Sequence, residues 1–552
     1  MPTVTLNKKT VMRLVGKEMP DEELKDRISM LGTDLESVEG DSIEVEIFPN
    51  RPDLLSEQGF ARALSSFLGV KTGLSKFDIK KGKDDYRVIV DQSVESVRPF
   101  TACAIVKGLM FDDEKIREVI QIQEKLHVTY GRNRKKCAIG VYPLEKIKLP
   151  IYYIAKDPKE VRFRPLEMNE EMDGLQVLSR HPAGRDYAHL LDGKDKFPFF
   201  IDDAGNVLSM PPVINSHMTG RISETTTDVF VEFSGFDQSV VSKGLNMLVT
   251  ALADMGGEIH SMVIEYKDQK IVSPDLSPSK MEFDKSFVSR WLGVDLDDAK
   301  IKECLEKMGY GYEDGNALVP AYRADVLHSV DLSEDIAIAY GYENFEPTIP
   351  NVATAGEEDH FEIFKSRIGD VLASLGLVET KTYNLINKQI QTTKMGIEQM
   401  DIIEIANPLN IEYDSLRCWM IPSLMKVLQD NLHHEYPQRV FTIGRIFKKG
   451  ESETGAVEAD RLSVVLCEPN ADLTKARQVF DAIMNALSVG CEAENTDHLS
   501  FVPGRVARMS VNGKKVAYVG EIHPRVLENF DIEMPVAAIE LNLTDLFSVF
   551  RI

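Results

Sequence analysis

The sequence has no closely spaced cysteines and no long apolar run. Its six cysteines are scattered without a CxxC pair, which argues against both a structural zinc site and a disulfide framework. No run of about eighteen apolar residues occurs, and the first residues lack the apolar stretch of a signal peptide. We therefore expect a chain without membrane spans that works in a reducing cytoplasm.

Positive charge is scarce, because 64 Lys and Arg stand against 88 Asp and Glu and give a formal net charge of −24. A protein that binds a phosphate backbone by itself normally presents a basic surface. The acidic balance therefore disfavours autonomous nucleic-acid binding, so RNA should meet a local basic patch or a more basic partner. The densest basic run is 132–136, which a solvated loop would also explain.

Common nucleotide and zinc motifs are missing as well. The chain has no GxxxxGK loop, no HExxH helix and no complete GxGxxG fingerprint. Any catalytic or metal-binding site must therefore consist of residues that match none of these motifs.

The length of 552 residues exceeds the ~250 to 300 at which single cores stop growing, so several domains are expected. The pattern predicts an α+β multidomain protein. Residues 1–85 form a small mixed module, 86–270 a second α+β region, 271–350 a compact helical unit after a proline-bearing linker, and 351–552 the last region.

Local patterns predict individual elements. In the first region we expect helices near 20–31 and 56–68 around a strand at 42–47, and in the second region an alternating strand at 228–233. In the last region, apolar residues at helical spacing end at Gly376, and strands at 507–511 and 515–519 are joined by an Asn-Gly turn. An antiparallel sheet flanked by helices is predicted there.

Four carboxylates crowd one short segment. Asp331, Glu334 and Asp335 share one helix face, and Asp325 lies in the preceding loop. Magnesium prefers oxygen ligands and keeps several waters, so these side chains are candidate Mg²⁺ ligands, with a partner chain completing the site. Asp331 followed by Glu334 also fits helix capping, and spacing leaves both interpretations open.

The same segment, PAYRADVLHSVDLSED followed by YGY, resembles the phenylalanyl-tRNA synthetase β subunit, as does EIFPNRPDLLS near the N-terminus. Segments 126–136, 181–189 and 208–216 resemble the archaeal and eukaryotic type. The resemblance implies that Asp325, Asp331, Glu334 and Asp335 hold Mg²⁺ near an α subunit. It also implies an assembly of two α and two β chains, with tRNA as a partner.

The resemblance makes 86–270 an editing domain that hydrolyses tyrosine wrongly attached to the tRNA. Tyrosine differs from phenylalanine by one hydroxyl, and a site that hydrogen-bonds this hydroxyl rejects the analogue lacking it. The candidate pocket residues are polar, with Asp228 preferred as the acting side chain: Ser209, Asn215, Ser216, Thr226 and Asp228. The basic run 132–136 is a candidate holder of the 3′ end of the tRNA.

The last region resembles the class II synthetase fold in degenerate form. It lacks the glycine-rich strand and the ATP-holding arginine of an active domain, so aminoacylation with ATP is assigned to the α subunit and Arg417 is expected to be structural. Residues 271–350 resemble a nucleic-acid-binding fold whose acidity favours protein contact. Two alternatives stay open: a non-editing scaffold of the same complex, and a free-standing metal-dependent hydrolase built on Asp325, Asp331 and Glu334.

Overall fold

The computed structural model describes residues 2–349, 351 and 356–550. The chain divides into two compact units, Met1–Ile349 (unit 1) and Pro350–Ile552 (unit 2). The predicted boundary stretch 347–351 includes Pro350, which lies outside the described residues. The finer division into four domains stays a prediction.

The N-terminal part of unit 1 is a small antiparallel sheet with helices beside it. Its elements are β1 (Thr3–Asn7), α1 (Lys8–Val15), α2 (Asp21–Met30), β2 (Asp34–Glu39), β3 (Ser42–Glu46) and α3 (Glu57–Phe67). The strand order is β1-β3-β2. Helix α3 begins after Ser56, whose hydroxyl accepts the N–H of Gly59 at 2.9 Å, because an oxygen at this position satisfies an unpaired helical N–H. The predicted helices and strand are confirmed here.

The centre of unit 1 contains a large mixed sheet, a separate two-stranded sheet and several helices. Its elements are β4 (Ile79–Lys80), β5 (Arg87–Val90), β6 (Phe100–Lys107), α4 (Asp113–Val128), β7 (Cys137–Pro143), β8 (Ile151–Lys156), β9 (Arg162–Phe163), β10 (Met172–Asp173), α5 (Gly174–Arg180), α6 (Pro182–Tyr187), β11 (Phe197–Asp202), β12 (Val207–Met210), β13 (Ile214–Asn215), β14 (Val229–Gly235), α7 (Gln238–Asp254), β15 (Glu258–Glu265) and β16 (Lys270–Ser273).

The strand order of the large sheet is β13-β12-β11-β8-β5-β15-β6-β14-β7. Pairing is antiparallel except where β5 joins β8 and β15 and where β4 joins β15. Strand β14 lies between β6 and β7, and every one of its residues is buried. The alternation predicted a strand correctly, but neither face of β14 is open to solvent.

The last part of unit 1 is not purely helical, because an antiparallel sheet accompanies its helices. Its elements are β17 (Ser279–Glu282), α8 (Lys285–Leu292), α9 (Asp298–Lys307), β18 (Gly311–Glu313), β19 (Asn316–Val319) and α10 (Ser329–Tyr340). The helices expected of a compact helical unit are present, and the small sheet beside them was not predicted. The apolar residues of this last part share one continuous core with the N-terminal part and with one face of the large sheet.

Unit 2 is a long sheet flanked by helices. Its elements are α11 (His360–Ser374), β20 (Val378–Glu379), β21 (Leu385–Ile386), α12 (Lys388–Gln391), β22 (Ser415–Leu416), α13 (Ile421–Asp430), β23 (Gln438–Lys449), β24 (Ala456–Cys467), α14 (Leu473–Ala486), β25 (Glu492–Asn495), β26 (Phe501–Val511), β27 (Lys514–Ile522), α15 (Pro524–Asn529), β28 (Val536–Asn542) and α16 (Leu543–Phe547).

The order of the long sheet is β20-β23-β24-β28-β27-β26-β25, antiparallel except for the β20–β23 pair. The predicted hairpin is confirmed: Asn512 and Gly513 both have positive φ, as a tight two-residue turn requires. Gly376 follows α11 with φ +80, as predicted for a helix end. The antiparallel sheet with flanking helices is thus confirmed.

Short 3-10 helices complete both units. They are Pro52–Leu54, Gln92–Val94, Leu144–Lys146, Ala188–Leu190, Tyr342–Asn344, Thr393–Met395, Ile411–Tyr413 and Ser548–Phe550. Within the described ranges, no helix has the length and apolar character needed to cross a membrane. All six cysteines are free thiols.

Candidate functional sites

Unit 1 contains a cavity of about 1210 Å³ between α4, β7 and the segment from β12 to Glu224. Apolar side chains such as Ile139, Val141 and Val213 form much of its wall. A few polar groups converge on it, among them Ser209, Asn215 and Glu232. A large, mostly apolar cavity with few polar groups is the usual form of a small-molecule site.

Glu232 is a fully enclosed carboxyl group in the wall of this cavity. It lies on β14 opposite Gly140 of β7 and is only 2% exposed. The Tyr142 hydroxyl reaches Glu232 Oε1 at 3.1 Å. A side chain at position 140 would prevent this, because its Cβ would lie 2.1 Å from the Tyr142 hydroxyl and 2.6 Å from Glu232 Oε1.

The protonation of Glu232 follows from these surroundings. Burial raises the pKa of Glu232 to about 8, although the bond from Tyr142, the charge of Arg98 and the nearby Ser209 hydroxyl act in the opposite direction. At neutral pH the carboxyl group is therefore mostly protonated and can donate to the Tyr142 oxygen. Tyr142 then donates to Asn215 Oδ1, 3.3 Å away. Glu232 Oε2 is left without a hydrogen-bond partner among the described residues.

Two of the predicted pocket residues line the cavity. Asn215 belongs to the chain of bonds through Tyr142, and it pairs with Ser209 across β12 and β13. The buried Ser209 hydroxyl has no hydrogen-bond partner within the described part of the chain. An unpaired buried hydroxyl is costly unless a ligand or water satisfies it, so Ser209 is suited to contact a ligand.

The other three predicted pocket residues lie outside the cavity wall. Asp228 stands just before β14, where its carboxylate accepts the N–H of Gly108 at 3.1 Å and lies 3.4 Å from the Lys107 ammonium. Thr226 is buried and donates to Glu145 at 3.2 Å. Ser216 is buried, and its N–H donates to the Leu208 carbonyl at 2.7 Å. Asp228, the preferred candidate, thus lies away from the cavity wall.

Glu232 was missed because alternation suggests one solvent face, whereas β14 is covered on both sides. A sequence signal existed: a single acidic residue stands inside the apolar run VFVEFSG. A charged residue in a fully apolar strand is rarely buried without a partner or a purpose. The close approach of Gly140 and Tyr142 depends on strand pairing, which the sequence alone does not reveal.

The basic run at 132–136 contributes one residue, Arg134, to the cavity rim. Its guanidinium donates to the Val213 carbonyl at 2.8 Å and to Glu124 at 3.1 Å, and it stacks on Tyr187 at 4.2 Å. Glu124 also faces His127 Nδ1 at 3.4 Å. The His127 bond and the Arg134 charge lower the pKa of Glu124, so its carboxylate is ionised at the rim.

Two of the four acidic residues of the predicted metal site share one basic partner, Arg323. The Arg323 guanidinium forms a bidentate pair with Asp325, at 2.8 and 2.7 Å, and donates to Asp335 at 2.8 Å. Tyr310 also donates to Asp335. Burial lowers the pKa of Arg323, but the neighbouring acidic groups outweigh it and hold that pKa above its ordinary value.

Asp331 takes part in capping helix α10, but as the third helical residue of a capping box whose N-cap is His328, and not as the cap before Glu334 that the sequence pattern suggested. Its Oδ2 accepts the N–H groups of Leu327 at 2.7 Å and His328 at 2.8 Å. Glu334 is exposed on the next turn. Among the residues that the structure describes, no three of these four side chains bring an oxygen each within 4.8 Å of one another. The magnesium site stays a prediction.

Arg417 has structural partners. Its guanidinium donates to the Arg445 carbonyl at 2.7 Å, to the Thr382 hydroxyl at 2.8 Å and to Asn384 Oδ1 at 3.0 Å. Gly444 lies against it, since a Cβ there would be 2.4 Å from Arg417 Nη2. The guanidinium thus ties β22 to the neighbouring strand β23.

Family models match most of the chain and define it as an aminoacyl-tRNA synthetase subunit. Residues 1–70 match the Phe-tRNA synthetase beta subunit B1 domain, 281–342 the tRNA synthetase B5 domain, and 345–543 the phenylalanyl tRNA synthetase beta chain CLM domain. A crystal structure of an N-terminal fragment of the phenylalanyl-tRNA synthetase beta subunit from Pyrococcus horikoshii is similar with a TM-score of 0.58 and 39% identity. It covers 61% of this chain and 99% of the fragment.

Full-length relatives make the assignment more specific. The phenylalanine–tRNA ligase beta subunits of Pyrococcus abyssi and Pyrococcus horikoshii are 42% and 41% identical, each over 99% of this chain and 100% of the relative. That of Archaeoglobus fulgidus is 39% identical over 99% of both chains. The chain belongs to the family of phenylalanine–tRNA ligase β subunits.

Proposed function

We propose that this chain works in the cytoplasm with an α subunit that attaches phenylalanine to its tRNA with ATP, and that its own cavity hydrolyses mischarged tyrosyl-tRNA. The observation that carries the editing proposal is Glu232, a buried carboxyl group with one unpartnered oxygen in a mostly apolar cavity. An (αβ)₂ assembly that binds tRNA is part of this proposal and rests on the family.

Glu232 is suited to recognise a phenol. When Oε1 carries the proton and donates to Tyr142, Oε2 is a carbonyl-type acceptor for the hydroxyl of a tyrosyl group. The aromatic ring would lie against apolar wall residues such as Ile139 and Val141. A phenylalanyl group would fill the same space but leave Oε2 unpaired.

The energetic difference between the two substrates is large enough for proofreading. Leaving a buried acceptor unsatisfied costs about 1 to 3 kcal/mol, which corresponds to roughly 5- to 150-fold discrimination. Sites built around a substrate hydroxyl reach roughly 10⁴-fold when further polar groups add to this cost. Correctly charged phenylalanyl-tRNA would therefore escape hydrolysis. Selectivity thus comes from the chemistry of one oxygen.

Hydrolysis of the ester needs a water molecule and an acceptor for its proton. Glu124 at the rim is ionised, and Arg134, held by the Val213 carbonyl, keeps it in place. A carboxylate in this position can take a proton from the attacking water and return it to the ribose oxygen of the tRNA when the ester C–O bond breaks. The ester would lie toward the rim, and the ring of the tyrosyl group toward Glu232.

The test compares two acidic residues close together in the chain, Glu232 in the cavity wall and Asp228 outside it. Hydrolysis of tyrosyl-tRNA by the assembled αβ complex is measured for Glu232→Ala and Asp228→Ala. We expect at least a tenfold loss with the former and near wild-type rates with the latter. The reverse pattern would move the pocket to Asp228, and unchanged rates in both would place the editing site elsewhere. Absence of hydrolysis in the wild-type complex would favour a non-editing scaffold.

We further propose a Mg²⁺ site at the start of α10, shared with the α subunit. Asp325 and Asp335 fit a cation poorly in this conformation, because Arg323 already neutralises them. Asp331 and Glu334 fit better, since Glu334 is exposed and Asp331 engages only Oδ2 in capping. When bound, the ion would supply positive charge at the subunit contact.

The metal proposal is tested by thermal melting of the complex with and without Mg²⁺. Glu334→Gln should abolish the stabilisation by Mg²⁺, whereas Glu313→Gln, an exposed change on β18, should keep it. Equal stabilisation of both variants would contradict the site. The alternative of a free-standing metal hydrolase predicts hydrolysis by the isolated chain that depends on Asp325, Asp331 and Glu334.

A further inference from the structure

Unit 2 contains a separate cavity, of about 440 Å³, on one face of its sheet. Residues paired directly across antiparallel strands point to the same face. Arg508 of β26 pairs with Tyr518 of β27, which pairs with Glu540 of β28. All three line the cavity, and Arg461 of β24 joins them. Strand register thus brings together side chains that are far apart in the sequence.

The acidic groups of this cavity already have partners. Glu540 accepts the N–H groups of Met420 and Ile421 at 2.9 and 3.0 Å, at the start of α13, and its Oε1 lies 3.3 Å from Arg461 Nη1. Asp401 pairs with Lys449 at 2.8 Å. Neither carboxylate is left to neutralise the remaining positive charge.

Basic groups are left over. Lys448 and Arg508 line the cavity, and neither forms an ion pair with a carboxylate among the described residues. The Arg461 Nε–H is buried and lacks a hydrogen-bond partner in the same described part. Four basic side chains line the cavity against two acidic ones, Asp401 and Glu540, so the basic side chains are in excess by two. Such an excess, within a strongly acidic chain, favours an anionic ligand.

Aromatic rings form another part of the lining. The His498 ring lies 5.7 Å from Trp419 and 5.1 Å from Tyr518, measured between centroids. The Arg508 guanidinium stacks over Tyr518 at 4.1 Å. Burial and the Arg508 charge lower the pKa of His498, so it is a neutral ring at pH 7. Stacked rings and a guanidinium plane form a surface on which a planar group can lie.

We propose that this cavity binds a small molecule that carries both a phosphate and a planar ring, the class to which nucleoside monophosphates belong. Guanidinium groups match phosphate oxygens with paired N–H bonds, and a dianion suits the charge excess better than a carboxylate does. The volume lies within the range of small-molecule sites. The site uses no residue of the editing cavity, so it stands independently of the proposed function.

The two tryptophans of the chain allow a direct test. Trp291 is 63% exposed in unit 1, whereas Trp419 lines the cavity and is 7% exposed. In the full-length Trp291→Phe chain, Trp419 is the remaining reporter, and its fluorescence is titrated with AMP, inorganic phosphate and adenosine. We expect a saturable change with AMP, weaker binding of phosphate and no binding of adenosine.

Variants in the same background tie the binding to the cavity. Arg508→Ala and Lys448→Met should each weaken AMP binding at least tenfold, whereas Arg505→Ala, an exposed change on the same strand as Arg508, should not. Lys448 is exposed along part of its length, so its variant should fold even where loss of Arg508 disturbs the sheet. The proposal is overturned if AMP gives no saturable change, if adenosine or phosphate binds as tightly as AMP, or if Lys448→Met binds normally.

Discussion

The Tyr142 hydroxyl lies 3.1 Å from Glu232 Oε1 and 3.3 Å from Asn215 Oδ1, so one phenol joins a buried carboxyl group to a partly buried amide. A hydroxyl has one proton to donate, and it can serve both neighbours only if Glu232 is itself protonated. The raised pKa of Glu232, about 8, meets this condition at neutral pH. Four predictions test this arrangement and the ion pairs elsewhere in unit 1.

Gly140→Ala should disturb the cavity. The added methyl would lie 2.1 Å from the Tyr142 hydroxyl and 2.6 Å from Glu232 Oε1, so both side chains must move. We expect a destabilisation of about 1 to 3 kcal/mol, typical of overpacking, and a loss of tyrosyl-tRNA hydrolysis. Thermal melting and the deacylation assay measure the two effects. Gly369→Ala in α11 is the control, because nothing lies near its Cβ and alanine favours a helix by roughly 1 kcal/mol.

Glu232→Gln should change how stability depends on pH. The pKa of Glu232 rises from its ordinary 4.5 to about 8 on folding, so the native state holds a proton that the unfolded state releases between these values. The wild type should therefore lose stability, by roughly a few kcal/mol, as the pH rises from 4.5 to 8. Denaturant midpoints measured at several pH values should fall less steeply for the variant. Parallel curves would contradict the raised pKa.

Ser209→Ala should separate activity from stability. Its hydroxyl is buried without a hydrogen-bond partner in the described part of the chain, so its removal should leave the free energy of unfolding unchanged or slightly higher. Hydrolysis of tyrosyl-tRNA should fall about tenfold if the hydroxyl contacts the substrate, which one lost hydrogen bond of ~1.4 kcal/mol would produce. Ser216→Ala, outside the cavity wall, is the matched control. Equal rates in both variants would remove Ser209 from the site.

Arg323→Met should destabilise unit 1 strongly. It removes the partner of Asp325 and Asp335, whose side chains are each only 9% exposed. Breaking one side of a buried pair costs about 3 to 5 kcal/mol, because the remaining charge is left uncompensated. Arg290→Met, an exposed change on α8, should alter stability by less than about 0.5 kcal/mol. Similar melting temperatures for the two variants would show that Arg323 carries no such role.

Elements with strong periodicity could be predicted from the sequence, whereas contacts across strands could not. Helix α4 and the hairpin of β26 and β27 follow from local patterns that need no knowledge of neighbours. The three-dimensional role of Glu232 depends on β7 placing Gly140 beside it and on the packing of other elements against both faces of β14. Residue spacing could not supply that information.

The residues of the candidate sites show the same difference between local sequence signals and contacts that depend on strand pairing. Ser209 and Asn215 were found because they stand in a polar segment that the family resemblance marked. Arg323 and Asp325 stand two residues apart, so the sequence permits an ion pair between them as well as a cation site, and the structure shows the ion pair. The cavity in unit 2 joins Lys448 to Arg508 through strand register, so it had no local signature.

The bidentate pair of Arg323 and Asp325 has a consequence for how the protein can be handled. Since the Arg323 guanidinium already supplies positive charge at Asp325, treatment with a chelator should not unfold unit 1. Joining of the subunits and folding of the chain then become separable steps. Metal-depleted preparations should stay folded and regain assembly when Mg²⁺ is added back.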